Sequence, residues 1–268
     1  MNKIEDAIYQ VHFMDNKANS HTFLNKIHPL VKLLISIIYI LLLTSINKYD
    51  LTTTLTMSLY LIAVSIIGDL SIKHCIKKLK PVLLLLIAIG IANPILDRNI
   101  ITYIGVIPIT TGMVSAITLL LKGAFAIISS YFLIITTGVE NIGGALKKIH
   151  IPNILITIFM LIYRYIIVFL KEVQRLWIAY SLRAPKQKGI NFKVWGSMIG
   201  SLMIRSIDKA QIVYEAMELR GFLPDTFWSK EQKLDKISMI CFITGIVLLF
   251  IIRFIPIFEI VGNIFLST

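Results

Sequence analysis

Long apolar runs alternate with short charged ones along the chain, and the run lengths predict the elements. Stretches without a charged residue cover 33–47, 51–68, 81–96, 99–121, 123–139 and 237–252. A membrane-spanning helix needs about 20 mostly apolar residues, and several of these runs approach that length. The first span is expected over 29–47, opened by "IHPLVKLL" (27–34). Pro29 suits a first helical turn, where its missing N–H costs nothing, and Lys32 can snorkel to the interface from this end. A second span is expected over 51–68, and a third starts at Pro81 and ends near Asn93-Pro94. Thr110 or Thr111 can cap a fourth span over 112–137, since a threonine oxygen accepts a free N–H at a helix start. Lys122 falls within it and should face protein or water, because an ammonium in hydrocarbon costs a few kcal/mol, roughly 3 on insertion scales. The last span is expected over 237–258.

Charge fixes the orientation of these spans. The segment "DLSIKHCIKKLK" (69–80) holds four lysines against one acid. Basic loops of this kind lie in the cytoplasm, so the N-terminus, two spans earlier, is expected there too. Residues 171–236 hold 12 Lys+Arg against 7 Asp+Glu and should also be cytoplasmic. Between them, "NILITIFMLIYRYIIVFLK" (153–171) is apolar enough to span, but a crossing would put the most basic segment outside. The stretch 153–182 is therefore read as one helix, about 45 Å long, in or under the cytoplasmic face. After "RAPKQKG" (183–189) a second long helix is predicted over 191–220. Its apolar residues Trp195, Ile199, Leu202, Ile207, Ala210, Val213, Tyr214 and Met217 recur mainly at three- and four-residue steps. Gly196 and Gly200 form a small-xxx-small pair on it. "FLPDTFWSKEQKLDK" (222–236) connects to the last span, which leaves the C-terminus outside.

The fold expected is an all-α polytopic membrane protein of about five spans with a cytoplasmic hairpin of long helices. Its regions are a cytoplasmic segment 1–28, a four-span region 29–137, a cytoplasmic or interfacial region 138–236, and the last span with the C-terminus, 237–268. Composition agrees: 56% of the 268 residues are hydrophobic and 16% charged, against about a quarter charged in soluble domains. The net charge of +12 is accounted for by basic residues flanking spans, so no nucleic-acid partner is expected and the lipid bilayer is.

Catalytic chemistry is sparse. "GVENIGGALKK" lacks the spacing of a phosphate-binding loop, there is no G-x-S-x-G elbow, and no pair of Asp-rich motifs occurs. His12, His21, His28, His74 and His150 lack helical ligand spacing, although His12 and His21 could converge on a metal. Cys75 and Cys241 form no redox or metal motif and read as ordinary thiols. No catalytic residue and no metal ligand is expected.

Two helix ends stand out. Leu182-Arg183-Ala184 and Leu219-Arg220-Gly221 each present an arginine beside a small residue. A cation at a helix C-terminus is favoured by the dipole, and Gly221 can end a helix, so each end taken singly reads as a cap. As a pair 37 residues apart they suggest two prongs of a fork. Arginine offers a planar donor set and is often an interface hot spot.

"IHPLVKLL", "IPITTGMVSAITLLLKG" (107–123), "IYRY" (162–165) and above all "RSIDKAQIVYEAMELRGF" (205–222) resemble the transmembrane T component of energy-coupling factor (ECF) transporters, especially its CbiQ-like branch. The likeness covers most of the chain. It implies a non-catalytic scaffold whose two coupling helices dock, through Arg183 and Arg220 and their neighbours, on two ABC-type ATPase subunits. Those partners would bind the ATP and Mg, leaving no cofactor in this chain. A small substrate-binding membrane subunit (S component) would carry the cargo, cobalt or nickel in this branch. The family often has alanine where Leu182 and Leu219 stand. Two other readings are a conventional ABC importer permease and a membrane-bound enzyme. "EAMELRG" (215–221) imitates the permease loop motif but lacks its downstream I-x-L-P.

Overall fold

The computed structural model describes residues 2–18, 23–70, 72–97, 100–104, 107–185, 187, 189–222 and 235–254. They form helices joined at one point by a small β-hairpin, in two compact units. One unit comprises the first part of α1 (Asn2–Ala18), α9 (Val139–Lys148), α10 (Asn153–Arg183) and α11 (Phe192–Leu219). The other comprises α2 (Phe23–Lys26), α3 (Pro29–Thr44), α4 (Leu51–Thr56), α5 (Ser58–Ile67), α6 (Ile72–Gly90), α7 (Ala92–Leu96), β1 (Ile100–Ile104), β2 (Ile107–Thr110), α8 (Thr111–Thr137) and α12 (Lys236–Phe254).

In this second unit α8 is the central element, with α3, α4, α5, α6 and α7 packed against it, and α12 lies on α3 and α4. The core is built by Tyr39, Leu43, Met57, Phe132, Leu249 and Ile252, together with smaller neighbours. The opposite faces remain apolar: Leu41, Ile66 and Leu84 are 62%, 74% and 72% exposed. An apolar surface of this extent is expected of lipid-facing helices rather than of a soluble domain. Among the described residues three helices, α8, α10 and α12, are long and apolar enough to cross a bilayer, and Pro29–Thr44, Leu51–Ile67 and Val82–Pro94 are shorter apolar segments. The chain is an all-α polytopic membrane protein with one two-stranded interruption.

Local signals account for several helix starts. Pro29 occupies the first turn of α3, and the His28 ring accepts the Leu30 N–H. Thr110, not Thr111, caps α8 by accepting the Met113 N–H at 3.3 Å. Asp50 caps α4 through the Thr53 N–H.

Three expectations are refined. Pro81 opens the apolar run but not the helix: α6 begins at Ile72 and runs through Pro81 to Gly90, while the apolar segment is Val82–Pro94, as expected. The ring removes only one ladder bond, and membrane helices tolerate such a gap. The basic stretch read as a loop is thus helical from residue 72. The second span runs as expected as one apolar segment, Leu51–Ile67, with a local irregularity at Met57 between α4 and α5, where the backbone stays right-handed helical and the Met57 N–H still reaches Thr53 O at 3.3 Å. There Thr54 and Thr56 turn their hydroxyls back onto the carbonyls of Asp50 and Thr53, a competition that weakens a helix ladder. The connection between the third and fourth spans, for which no strand was expected, pairs β1 with β2 as an antiparallel hairpin with a register shift between Ile100 and Thr102.

In the first unit α9 packs on α10, and α10 meets α11. Gly143 permits the α9–α10 approach, since a methyl there would overlap the tip of Met160. Helix α1 runs antiparallel to α10: the Tyr163 hydroxyl donates to Asp15 Oδ1 at 2.6 Å, and Gln174 Nε2 donates to Glu5 Oε1 at 3.2 Å.

Candidate partner-docking site

The expected long helices exist, with ends within two residues of the predicted ones. Helix α10 is unbroken over 31 residues and α11 over 28, about 46 and 42 Å long. Neither is covered along its length. Of α10 only Ile156 is buried, and of α11 nothing is. One charged contact joins the two helices. Arg205 of α11 donates to Glu172 of α10, and Arg175 approaches the other oxygen of the same carboxylate at 3.3 Å.

That contact has Arg183 on one side of it and Arg220 on the other. Arg183 is the last residue of α10, next to the turn, whereas Arg220 follows the far end of α11. The two arginines therefore stand at opposite ends of α11 and not side by side as in a fork. Both are exposed, as are Leu182 (76%) and Leu219 (90%). Among the described residues neither arginine forms an ion pair.

The two ends are terminated differently. After α11 the Gly221 N–H reaches Glu218 O and the Phe222 N–H reaches Met217 O, both at 2.9 Å. With Gly221 at φ +67°, this is the glycine-terminated helix end that orphan carbonyls favour, and Gly221 plays the part expected of it. Arg220 is then the cap residue itself. After α10 there is no glycine. Ala184 is the cap, its N–H held by Tyr180 O at 3.0 Å, and Pro185 follows. Arg183 thus belongs to the last turn while Arg220 stands one position beyond its helix.

Sequence reasoning missed what braces the first end. The Tyr180 hydroxyl accepts the Asn191 N–H at 3.1 Å and donates to Gln187 Oε1. Asn191 in turn caps α11 by accepting the Lys193 N–H. A tyrosine three residues before a helix end carries no composition signal, so nothing marked it in advance. The Glu172–Arg205 pair was more legible, since Glu172 and Arg205 are charges on helices rich in apolar residues.

No group of three or more metal-ligating side chains occurs among the described residues. His12 is exposed, whereas His21, its expected companion, lies outside the described residues. His28 is buried as a helix cap, and its backbone N–H donates to Ser238 Oγ. His150 follows α9 in a left-handed conformation, φ +64°. Cys75 is buried and Cys241 partly buried, and neither forms a disulfide. Residues 223–234, most of the expected connector, lie outside the described residues.

Comparison with known proteins gives this architecture a family. The profile of CbiQ, described as cobalt transport protein, matches residues 20–232. An uncharacterised protein of Methanocaldococcus jannaschii is 30% identical over 146 residues, 52% of this chain and 50% of its own length. A putative fused cobalt transport protein CbiMQ of Methanocorpusculum labreanum is 31% identical over 114 residues, 42% of this chain and 19% of its own. The chain therefore spans about half of the first relative and a fifth of the second. The energy-coupling factor transporter transmembrane protein EcfT of Leuconostoc gelidum is 22% identical over 258 residues, 87% of this chain and 94% of its own. A profile match over most of the chain and an end-to-end likeness to an EcfT agree with the two long exposed helices: the chain belongs to the CbiQ family and is a CbiQ-like transmembrane T component of the ECF transporters.

Proposed function

We propose that this chain is the non-catalytic energy-coupling subunit of an ATP-driven importer. It would receive motion from two ABC-type ATPase subunits and pass it to a separate small membrane subunit that binds the cargo. ATP and Mg would be held by the ATPases, and this chain would contribute no cofactor. Leu182-Arg183-Ala184 and Leu219-Arg220-Gly221 would each seat one ATPase. The observation that carries the reading is the placing of these two exposed ends at opposite ends of the 28-residue α11. About 42 Å of helix leaves room for two separate bodies, and an exposed guanidinium suits an acidic groove on each. Cobalt or nickel is the cargo class favoured by the family's description and by the printed name of the fused archaeal relative. In the proposed orientation the N-terminus and residues 138–236 are cytoplasmic and the C-terminus is outside, in the cytoplasmic membrane of the cell.

Affinity purification of the tagged chain from its native membrane tests this, with Arg183→Glu/Arg220→Glu as the comparison. Two ATPases and one small membrane protein should accompany the parent and be lost from the double variant. Intact complexes in the variant would remove the docking role. Each single reversal should weaken recovery without abolishing it.

A further inference from the structure

The two docking ends are not equally self-supporting. The Arg220 end is fixed by its own backbone, through the paired hydrogen bonds that close on Gly221. The Arg183 end has no such closure, and its chain turns away through Pro185 into the connection to α11. One side chain spans that connection. The Tyr180 carbonyl accepts the Ala184 N–H at 3.0 Å, one residue past Arg183. Its hydroxyl donates to Gln187 Oε1 and accepts the Asn191 N–H at 3.1 Å, and Asn191 is the cap that starts α11. The Gln187 N–H returns to Ala184 O at 3.1 Å. One tyrosine thus holds both sides of the turn that carries Leu182, Arg183 and Ala184.

We infer that Tyr180 is a positioning residue for the Arg183 end, acting through Gln187 and Asn191 to hold that end in the geometry a partner ATPase meets, with no corresponding role at the Arg220 end. The inference rests on the docking reading above. An exposed arginine on an unbraced turn must be ordered when a partner binds, and that ordering subtracts from affinity. A turn already held by two hydroxyl bonds and a capped helix start has less freedom to lose. The tyrosine ring leaves α10 itself intact when only the hydroxyl is removed, because the Ala184 N–H bond uses the backbone carbonyl.

The test compares the two ends in one molecule. A benzophenone amino acid is placed at Leu182 or at Leu219 in the full-length chain, and native membranes are irradiated. ATPase adducts are then quantified in the parent and in Tyr180→Phe. Loss of two hydroxyl bonds should cut the adduct at 182 by about five- to tenfold and leave that at 219 unchanged. Gln187→Ala, which removes one of the two, should give a smaller loss at 182 alone. Equal losses at both positions would reduce Tyr180 to general stability and overturn the inference, as would an unchanged adduct at 182. Absence of ATPase adducts at both positions in the parent would instead remove the docking reading on which it stands.

Discussion

Lys32 and Lys122 close the same helix pair from opposite ends. Lys32, in the first turn of α3, donates to Thr136 O at 2.6 Å in the last turn of α8; Lys122 of α8 donates to Ile46 O at 2.5 Å, just past the end of α3. Residues 32–46 and 122–136 run antiparallel over the same interval, roughly 21 Å of helix. Each ammonium neutralises carbonyls that a helix end leaves without a partner. Lys32 is thus tied to α8 and does not snorkel freely. Lys122 lies within a long run of apolar sequence yet level with the end of α3, because α8, at 27 residues, is much longer than α3 at 16.

Removing either lysine takes away the donor that Thr136 O or Ile46 O accepts from. Lys32→Met and Lys122→Met should each lower stability by about 1–3 kcal/mol. Thermal unfolding of the purified chain in one detergent measures this. The two sites share no partner and are far apart, so the double variant should show close to the sum. A strongly non-additive result would mean that the helix pair responds as one unit.

Glycines on two helices should respond in opposite senses. A Cβ at Gly112 would stand 2.5 Å from the carbonyl oxygens of both Asn93 and Asp97 and 2.8 Å from Pro94 Cα. Backbone cannot step aside as a flexible side chain can, so Gly112→Ala should destabilise the chain by about 1–3 kcal/mol. At Gly196 and Gly200 nothing lies within 4 Å of the added carbon. Alanine at either should therefore favour α11 by up to about 1 kcal/mol in the isolated chain. Unfolding midpoints in the same detergent distinguish the two cases.

The Glu172–Arg205 contact should set how tightly α10 and α11 hold together. Arg205 is half exposed, at 55% of its side chain, while Glu172 is more sheltered at 21%. Glu172→Arg should raise amide exchange in both helices around the contact. Adding Arg205→Glu should recover part of the protection. The expected coupling in the double-mutant cycle is modest, about 0.5–1 kcal/mol, as for partly exposed pairs. No recovery on restoring the charge pair would assign the effect of Glu172 to packing.

Features set by runs of neighbours could be read from the sequence, and those set by distant partners could not. Pro29, Thr110 and Gly221 carry local backbone chemistry, and each sits at the helix end expected of it. The lengths of α10 and α11 follow from period and breaks, so Arg183 and Arg220 fall at helix ends from the sequence alone. The exception among local signals was Pro81, whose helix-starting preference was overridden by the helical run from Ile72. The second span was legible as the apolar segment Leu51–Ile67, whereas its irregularity at Met57 accompanies threonine hydroxyls turned back on their own ladder. The partners of Lys32, Lys122 and Tyr180 are matters of packing and turn geometry, and sequence periodicity does not encode them.

The orientation of α10 is decided by which side Ile190 faces. Ile190 lies in the turn between α10 and α11 and is partly exposed. Helix α10 satisfies the length and hydropathy of a span, yet the segment from 171 to 236 carries 12 Lys+Arg against 7 Asp+Glu. Translocating that excess opposes the bias that keeps basic segments inside. Exposed Arg164, Lys171 and Arg175 recur at seven- and four-residue steps, placing them along one side of α10. A helix with such a basic side suits an interfacial position better than a crossing surrounded by lipid. In a background with Cys75 and Cys241 replaced, Ile190→Cys should react with an impermeant maleimide only after the cytoplasmic side is opened. Reaction in intact cells would make α10 a true span and reverse the orientation proposed for everything after it.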